Sequence, residues 1–184
     1  MAQLLRKLSL IECMLLFLSF AGGCTLFSTS SHGRGAVLEK WETENKIFRI
    51  RVTSSEETGA YLNGAFYHFE SAASGSNDWR EIVTFRHDDR PQIPREQVRF
   101  VNDRIAYLFM GWVYAVTTDG GANWSVWNAT GDLPNWQCCN YQLIRDVQLN
   151  TDGVGTMKLN PIAQRAGEVP QLHTRDYGRH WVSE

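Results

Sequence analysis

The 184-residue sequence predicts an all-β fold, and three observations support that prediction. Apolar and polar residues alternate with period two in many short segments, of which 47–52 is the clearest. These segments recur at short intervals and are separated by Gly- and Asp-containing turns such as 119–121 and 151–153. No window after residue 45 shows the 3.6-residue spacing of an amphipathic helix.

The beginning of the chain is typical of a signal peptide: two basic residues precede an apolar stretch, 8–21, that is too short to span a bilayer. Residues 21–24 (AGGC) resemble the bacterial lipobox, which implies that Cys24 is lipidated and becomes the mature N-terminus. Thr25, where inner-membrane lipoproteins carry Asp, implies the outer membrane. The alternative is an ordinary secretory signal in which Cys24 has no role. We predict a signal peptide at 1–23, a lipidated Cys with a flexible tether at 24–40 and an all-β domain at 41–184.

Composition excludes several classes of protein. Lys and Arg number 18 and Asp and Glu number 20, so the net charge of −2 gives no basic surface for nucleic acid. The hydrophobic content of 43% is too high for a disordered chain. Because Cys and His residues lack the spacing of zinc ligands, we expect neither a metal nor a cofactor.

One motif occurs twice, with Thr, Asp, Gly and Trp at its first, third, fifth and eighth positions. It resembles the Asp box, a β-hairpin found in sialidase-like propellers and other β-proteins. Its chemistry predicts a structural role: the Asp accepts hydrogen bonds from turn amides, the Gly takes a positive φ, and the Trp packs on a neighbouring element. The two copies are Thr117, Asp119, Gly121 and Trp124, and Thr174, Asp176, Gly178 and Trp181.

A third, degenerate copy at 72–79 keeps Trp79, lacks the Asp, and has Ser at the Gly position. The separation of Trp79 and Trp124 is close to the roughly 40–45 residues of one propeller blade. A domain of about 140 residues holds about three such blades, whereas closed propellers usually have at least four. We therefore predict three antiparallel, blade-like units around one core, arranged as a partial propeller or a sandwich.

Two clusters could indicate catalysis. The segment 48–51 (FRIR) resembles the FRIP motif of sialidases, with Arg51 in place of Pro; its alternation instead favours a strand whose arginines face solvent. The segment 87–90 (HDDR) could be an acid–base or metal cluster, but such loops are usually solvated turns. Since no G-x-S-x-G nucleophile motif is present either, we predict a non-enzymatic protein with no catalytic residues.

The adjacent Cys138 and Cys139 are the thiols left after the signal peptide and the lipidated Cys are set aside. They could form a strained vicinal disulfide, pair with another chain or stay buried as free thiols.

Aromatic and charged loop residues, near Cys138 and Cys139 and elsewhere, are candidate partner contacts. For each Trp, core packing is the alternative. The candidates are Trp112, Trp127, Trp136 and Tyr141, with Asp88, Asp89 and Arg90 as a charged rim.

Residues 111–127 (GWVYAVTTDGGANWSVW), the CCNY sequence at 138–141 and the DGVGTM sequence at 152–157 together resemble the immunity lipoproteins of type VI secretion lipase effectors. The resemblance covers about residues 45–184. It implies a non-enzymatic protein that is tethered to the outer membrane, faces the periplasm, and binds and blocks a toxic phospholipase. Two alternatives remain: a glycan-binding or sialidase-like Asp-box module, and an envelope assembly or stability factor.

Overall fold

The computed structural model describes residues 35–56, 64–88, 91–132, 143–160 and 171–183. All of them belong to one compact unit, residues 33–184. They form twelve strands in three antiparallel four-stranded sheets, so the predicted all-β class is confirmed. Each sheet is built from four consecutive strands, and none of these strands closes a sheet into a barrel.

We name the sheets A, B and C in chain order. Sheet A contains β1 (Val37–Glu44), β2 (Phe48–Glu56), β3 (Ala65–Ala73) and β4 (Arg80–His87). Sheet B contains β5 (Val98–Phe100), β6 (Ala106–Met110), β7 (Val113–Thr117) and β8 (Ser125–Asn128). Sheet C contains β9 (Ile144–Leu149), β10 (Gly155–Leu159), β11 (Gln171–Thr174) and β12 (Val182–Ser183). A 3₁₀ turn at Arg95–Gln97 and a single helical turn, α1 (Ala129–Asp132), lie in the connections.

Sheet B is the middle layer of the domain, because apolar side chains on each of its two faces pack against a neighbouring sheet. Leu108 and Met110 of β6 pack in a cluster with residues of sheet A. Their neighbours Tyr107 and Phe109 pack in a second cluster with residues of sheet C. The single core predicted from the sequence is therefore wrong: the domain has two cores, one on each side of sheet B.

The side-chain patterns of the strands explain why sheet B is covered on both faces and sheets A and C on one. Strands β6 and β7 read AYLFM and VYAVT, and every residue in them is buried, as expected for a strand covered on both faces. Strands β2 and β10 instead alternate between buried and half-buried residues. Such alternation is typical of a sheet with one face on a core.

The two ends of the stack differ. At one end, here called the turn end, short turns connect the strands, and turns of different sheets touch. Asn45 donates from Nδ2 to the carbonyl of Asp103 over 3.1 Å, which joins sheets A and B. Arg179 lies 3.5 Å from the Thr118 hydroxyl, which joins sheets B and C. These contacts place the six short connections, 45–47, 74–79, 101–105, 118–124, 150–154 and 175–181, on one side.

The opposite end, here called the loop end, carries the tight turn of Gly111 and Trp112 between β6 and β7. The Gly111 carbonyl accepts from the Ile144 amide over 2.7 Å, which links sheets B and C there. The strands that flank 57–63, 89–90, 133–142 and 161–170 have their ends on this side. Those four stretches themselves lie outside the described residues.

The domain begins earlier than predicted. Strand β1 starts at Val37, within the stretch assigned to the tether, because Val37 pairs with Ser55 of β2 and the Glu56 amide donates to the Ala36 carbonyl over 2.8 Å. The predicted signal peptide and Cys24 lie outside the described residues. In the described part of the chain, no helix has the length and apolar character needed to cross a bilayer.

Candidate functional site

The first Asp box connects β7 to β8 through side-chain hydrogen bonds within the turn. Thr117 Oγ1 donates to Asp119 Oδ1 over 2.9 Å and accepts from the Gly121 amide over 3.0 Å. Asp119 Oδ1 also accepts from the Asn123 amide over 2.9 Å, and Asp119 Oδ2 accepts from Asn123 Nδ2 over 2.8 Å. The carboxylate thus organises backbone amides, which is the structural role predicted for it.

The second Asp box repeats this arrangement between β11 and β12. Thr174 Oγ1 donates to Asp176 Oδ1 over 2.8 Å and accepts from the Gly178 amide over 2.8 Å. Asp176 Oδ1 accepts from the His180 amide over 3.0 Å. His180 takes the place of Asn123, and its Nδ1 contacts Asp176 Oδ2 over 2.5 Å. Two turns in different sheets therefore share one hydrogen-bond scheme.

Each box needs its glycine for two reasons. Gly121 and Gly178 have φ of +83° and +80°, a conformation that residues with a Cβ rarely adopt. A Cβ on Gly178 would lie 2.5 Å from Tyr114 Cε1, and one on Gly121 would lie 2.7 Å from Phe48 Cδ2. The turn backbone is therefore pressed against an aromatic ring of the preceding sheet.

The box tryptophans extend that contact into the cores. Trp124 of sheet B meets the Phe48 ring of sheet A edge-on at 6.2 Å and donates from Nε1 to Ser71 Oγ over 3.1 Å. Trp181 of sheet C is buried and meets the Tyr114 ring of sheet B edge-on at 5.4 Å. Each box therefore fastens its own sheet to the sheet before it, as a Trp that packs on a neighbouring element should.

The electrostatics of the boxes agree with this role. Partial burial raises the pKa of Asp119, but hydrogen bonds from Asn123 and Thr117 outweigh that effect and leave the pKa below its usual value. Burial likewise raises the pKa of Asp176, and hydrogen bonds from His180 and Thr174 lower it by more. Both carboxylates are therefore held in the ionised form that accepts these bonds.

The degenerate copy at 72–79 occupies the corresponding turn of sheet A. Trp79 directly precedes β4, just as Trp124 and Trp181 directly precede β8 and β12. In all three sheets the residue after the Trp pairs with the third strand: Arg80 with Ser71, Ser125 with Val116, and Val182 with His173. The strand register thus supports the sequence alignment of the three turns.

The arginines of the FRIR segment lie on the face of β2 opposite the A–B core, as the strand interpretation predicts. Phe48 and Ile50 are buried in that core, and the residues between and after them point away from it. Arg51 Nε lies 2.8 Å from Glu70 Oε2, and Arg49 Nη1 lies 3.5 Å from Glu42 Oε2. Both guanidinium groups are thus engaged by carboxylates of neighbouring strands.

The structure separates the candidate partner contacts into three groups. Trp127 is only 4% exposed and belongs to the B–C core, so its interpretation as a partner contact is wrong. Trp112 is half-buried at the loop end, where its ring stacks on His87 at 5.5 Å. Asp88, which follows His87 in the chain, is exposed and pairs with Arg86. The remaining candidates, Trp136, Tyr141, Asp89 and Arg90, lie outside the described residues, as do Cys138 and Cys139.

Sequence reasoning missed a polar contact between sheets B and C. Arg99 of β5 donates from Nη2 to Asp146 Oδ1 over 2.9 Å and from Nη1 to the Val147 carbonyl over 2.7 Å. The Tyr107 hydroxyl donates to the same carbonyl over 2.9 Å. No local signal announces it, because Arg99 and Asp146 belong to different sheets and lie far apart in the sequence.

Among the described residues, no three His, Cys, Asp or Glu side chains are grouped to hold a metal ion. Comparisons of the chain with protein-family models, with curated proteins and with solved structures gave no match. The candidate functional surface is therefore chosen from the structure alone. It is the loop end, which carries Trp112, His87 and Asp88 and the ends of the strands that flank the longer connections.

Proposed function

We propose that this protein is a lipid-anchored, non-enzymatic module of the bacterial cell envelope that binds a partner protein through its loop end. The asymmetry between the two ends of the stack carries the proposal. At the turn end, the Asp boxes use their polar groups in hydrogen bonds within short turns. At the loop end, Trp112 is half-buried, and the described strands that flank the longer connections have their ends there.

The residue types at the loop end suit protein recognition. Loops on a rigid scaffold commonly carry binding residues, and Trp, Tyr and Arg dominate the energetics of protein interfaces. The connection that leaves β4 begins with Asp88 and continues in the sequence with Asp89 and Arg90. The connection between α1 and β9 contains Trp136 and Tyr141 in its sequence. These candidates therefore belong to connections whose flanking described elements end at this side of the domain.

The partner class comes from the resemblance to immunity lipoproteins, and we propose a phospholipase effector. A lipid on Cys24 would hold the protein at the outer membrane, facing the periplasm, and so raise its concentration where such an enzyme acts. The binding would block the enzyme without chemistry on the part of this chain.

We further propose that sheets A, B and C are blade-like units of a partial, propeller-like array. Three features support this: each sheet is a meander of four consecutive strands, the three turns share one register, and two box tryptophans pack on the preceding sheet. Closed propellers usually have four to eight blades, so three units would form an open array in which sheets A and C are the two outer members.

A glycan-binding or sialidase-like function is the second candidate, and it was suggested by the Asp boxes together with the FRIR arginines. Their contacts argue against it, because Arg51 is paired with Glu70 and Arg49 with Glu42. A sugar carboxylate would have to displace those glutamates before it could bind.

The proposal is tested with the full-length protein in cells that receive a periplasm-directed phospholipase. Wild-type protein should protect the cells and capture the enzyme from envelope extracts. Trp112→Ala and Asp88→Ala at the loop end should weaken both, whereas Lys46→Ala at the turn end is the matched control and should weaken neither. Capture of no protein, together with binding on a glycan array, would instead support the second candidate.

The anchor is tested separately by Cys24→Ala. This variant should lose its lipid and leave the membrane fraction as a soluble or unprocessed chain. Recovery of an acylated, mature-sized species in membranes would contradict the lipoprotein proposal.

A further inference from the structure

Trp79 lies on the outer face of sheet A, the face that points away from sheet B. Phe48 and Ile50 of β2 are buried against sheet B, so Arg49 and Arg51 project from the opposite face. The Arg51 guanidinium carbon lies 4.1 Å from the centre of the Trp79 ring, and that of Arg49 lies 4.8 Å from it. Two cations of its own sheet therefore cover the indole.

This arrangement differs from that of the other two tryptophans in the corresponding position. Trp124 is inserted against sheet A, and Trp181 is inserted against sheet B. Sheet A is the first in chain order, and the two apolar clusters of the described residues join sheet A to sheet B and sheet B to sheet C, with neither cluster on the outer face of sheet A. The outer face of sheet A is thus the place where one more sheet, from a second copy of this chain, would extend the stack.

Charged groups make that face unsuitable for such an extension. Arg51 is paired with Glu70 and Arg49 with Glu42, and these four side chains are between 14% and 38% exposed. A sheet laid over them would remove the remaining water from two ion pairs, and desolvation of paired charges is costly even when the pairing is kept. Charged side chains on edge strands are a known means of preventing unwanted strand pairing, and charges on a sheet face would oppose face-to-face packing through the same desolvation cost.

We propose that Arg49, Arg51 and Trp79, together with Glu70, form a cap that ends the stack and keeps the protein from associating with itself through sheet A. The Arg49 Nε atom supports this reading. It is buried and has no hydrogen-bond partner within the described ranges, while Nη2 of the same group donates to the Ser76 carbonyl and the guanidinium lies over the Trp79 ring.

The test compares the mass of full-length variants in mild detergent by light scattering, which separates the mass of protein from that of detergent. Wild-type protein should contain one chain per micelle at every concentration. The triple variant Arg49→Thr, Arg51→Val, Glu70→Thr removes both members of the Arg51–Glu70 pair together, and it leaves Glu42, the more exposed member of the other pair, without its arginine. It should form a dimer, with a twofold higher protein mass as concentration rises. Adding Trp79→Ser to the triple variant should restore the single chain.

Three results would overturn the proposal: wild-type protein with two chains per micelle, a folded triple variant that stays single, or a dimer that persists after Trp79→Ser. Circular dichroism reports whether the triple variant keeps its β-structure. If it does not, Arg49→Ala decides, since its partner Glu42 sits at the more exposed end of that pair. A protein mass that rises with concentration would support the cap, and a constant mass would overturn it.

Discussion

The boxed turns of sheets B and C and the unboxed turn of sheet A place a Trp at the same register position but point it to different surroundings. Trp181 enters the B–C core, whereas Trp79 lies on the outer face of sheet A under two arginines. The Thr, Asp and Gly of the box are present where the Trp must enter a core and missing where it does not. Strand register therefore sets the position of the Trp, and the box residues fix the turn that presses against the preceding sheet.

The strongest way to test this comparison is to remove the two tryptophans separately. Trp181→Ala should lower the free energy of unfolding by about 3–5 kcal/mol, because it leaves a cavity in the B–C core. Trp79→Ala should lower it by about 1 kcal/mol, the loss expected for an exposed contact between a cation and a ring. Urea unfolding of both variants measures the two values, and equal losses would contradict the distinction between core and surface.

The glycines provide a matched pair for the backbone. Gly178 and Gly75 have nearly the same φ, +80° and +75°, but a Cβ on Gly178 would meet Tyr114 whereas one on Gly75 would meet nothing within 4 Å. Gly75→Ala should therefore cost about 1 kcal/mol for the left-handed backbone alone. Gly178→Ala should cost about 2–4 kcal/mol, since overpacking is added. If both variants unfold at the same urea concentration, the close approach to Tyr114 does not contribute to the loss of stability in Gly178→Ala.

The carboxylates give the smallest effect and a pH signature. Asp119→Ala and Asp176→Ala should each cost about 1 kcal/mol, since water reaches the turn amides that would lose their acceptor. Asp78→Ala in the sheet A turn is the control and should stay within about 0.5 kcal/mol of wild type.

The lowered pKa values of Asp119 and Asp176 set the direction of the pH dependence. A carboxyl with a lower pKa in the folded state stabilises the fold above the unfolded pKa of about 4, and this contribution is lost as the pH falls through the folded pKa. The free energy of unfolding of the wild-type protein should therefore decrease in acid. The decrease should be smaller in the Asp119→Ala, Asp176→Ala double variant. Parallel pH curves for the two proteins would show that the boxes do not titrate as described.

The sequence was sufficient for features that depend on local patterns. Alternation and turn residues predicted the strands, and the spacing of Trp79 and Trp124 predicted three units. It was not sufficient for features that depend on contacts between sheets. The segment AYLFM is too short for its pattern to show that Tyr107 and Leu108 face different cores, so one core was expected instead of two. Trp127 was misassigned for the same reason.

The candidate surface was predicted only in part. Trp112 and Asp88 were identified as loop residues, but their shared position at one end of the stack depends on how three sheets align. The contact of Arg99 with Asp146 depends on the same alignment. Residue type and spacing could not predict this contact, because Arg99 and Asp146 come together only after sheets B and C have packed.

The burial of sheet B on both faces has a consequence for the synthesis of the chain. A ribosome releases the chain from its N-terminus, so sheet A can cover one face of sheet B as soon as β8 is complete. The other face, with Tyr107, Phe109 and Tyr114, stays uncovered until β9 to β11 emerge. In that interval the nascent protein presents an uncovered aromatic surface, and transiently exposed apolar surface makes folding intermediates prone to aggregate. A chain that stops after β8 would keep this surface permanently, so the completion of sheet C is the step that removes it.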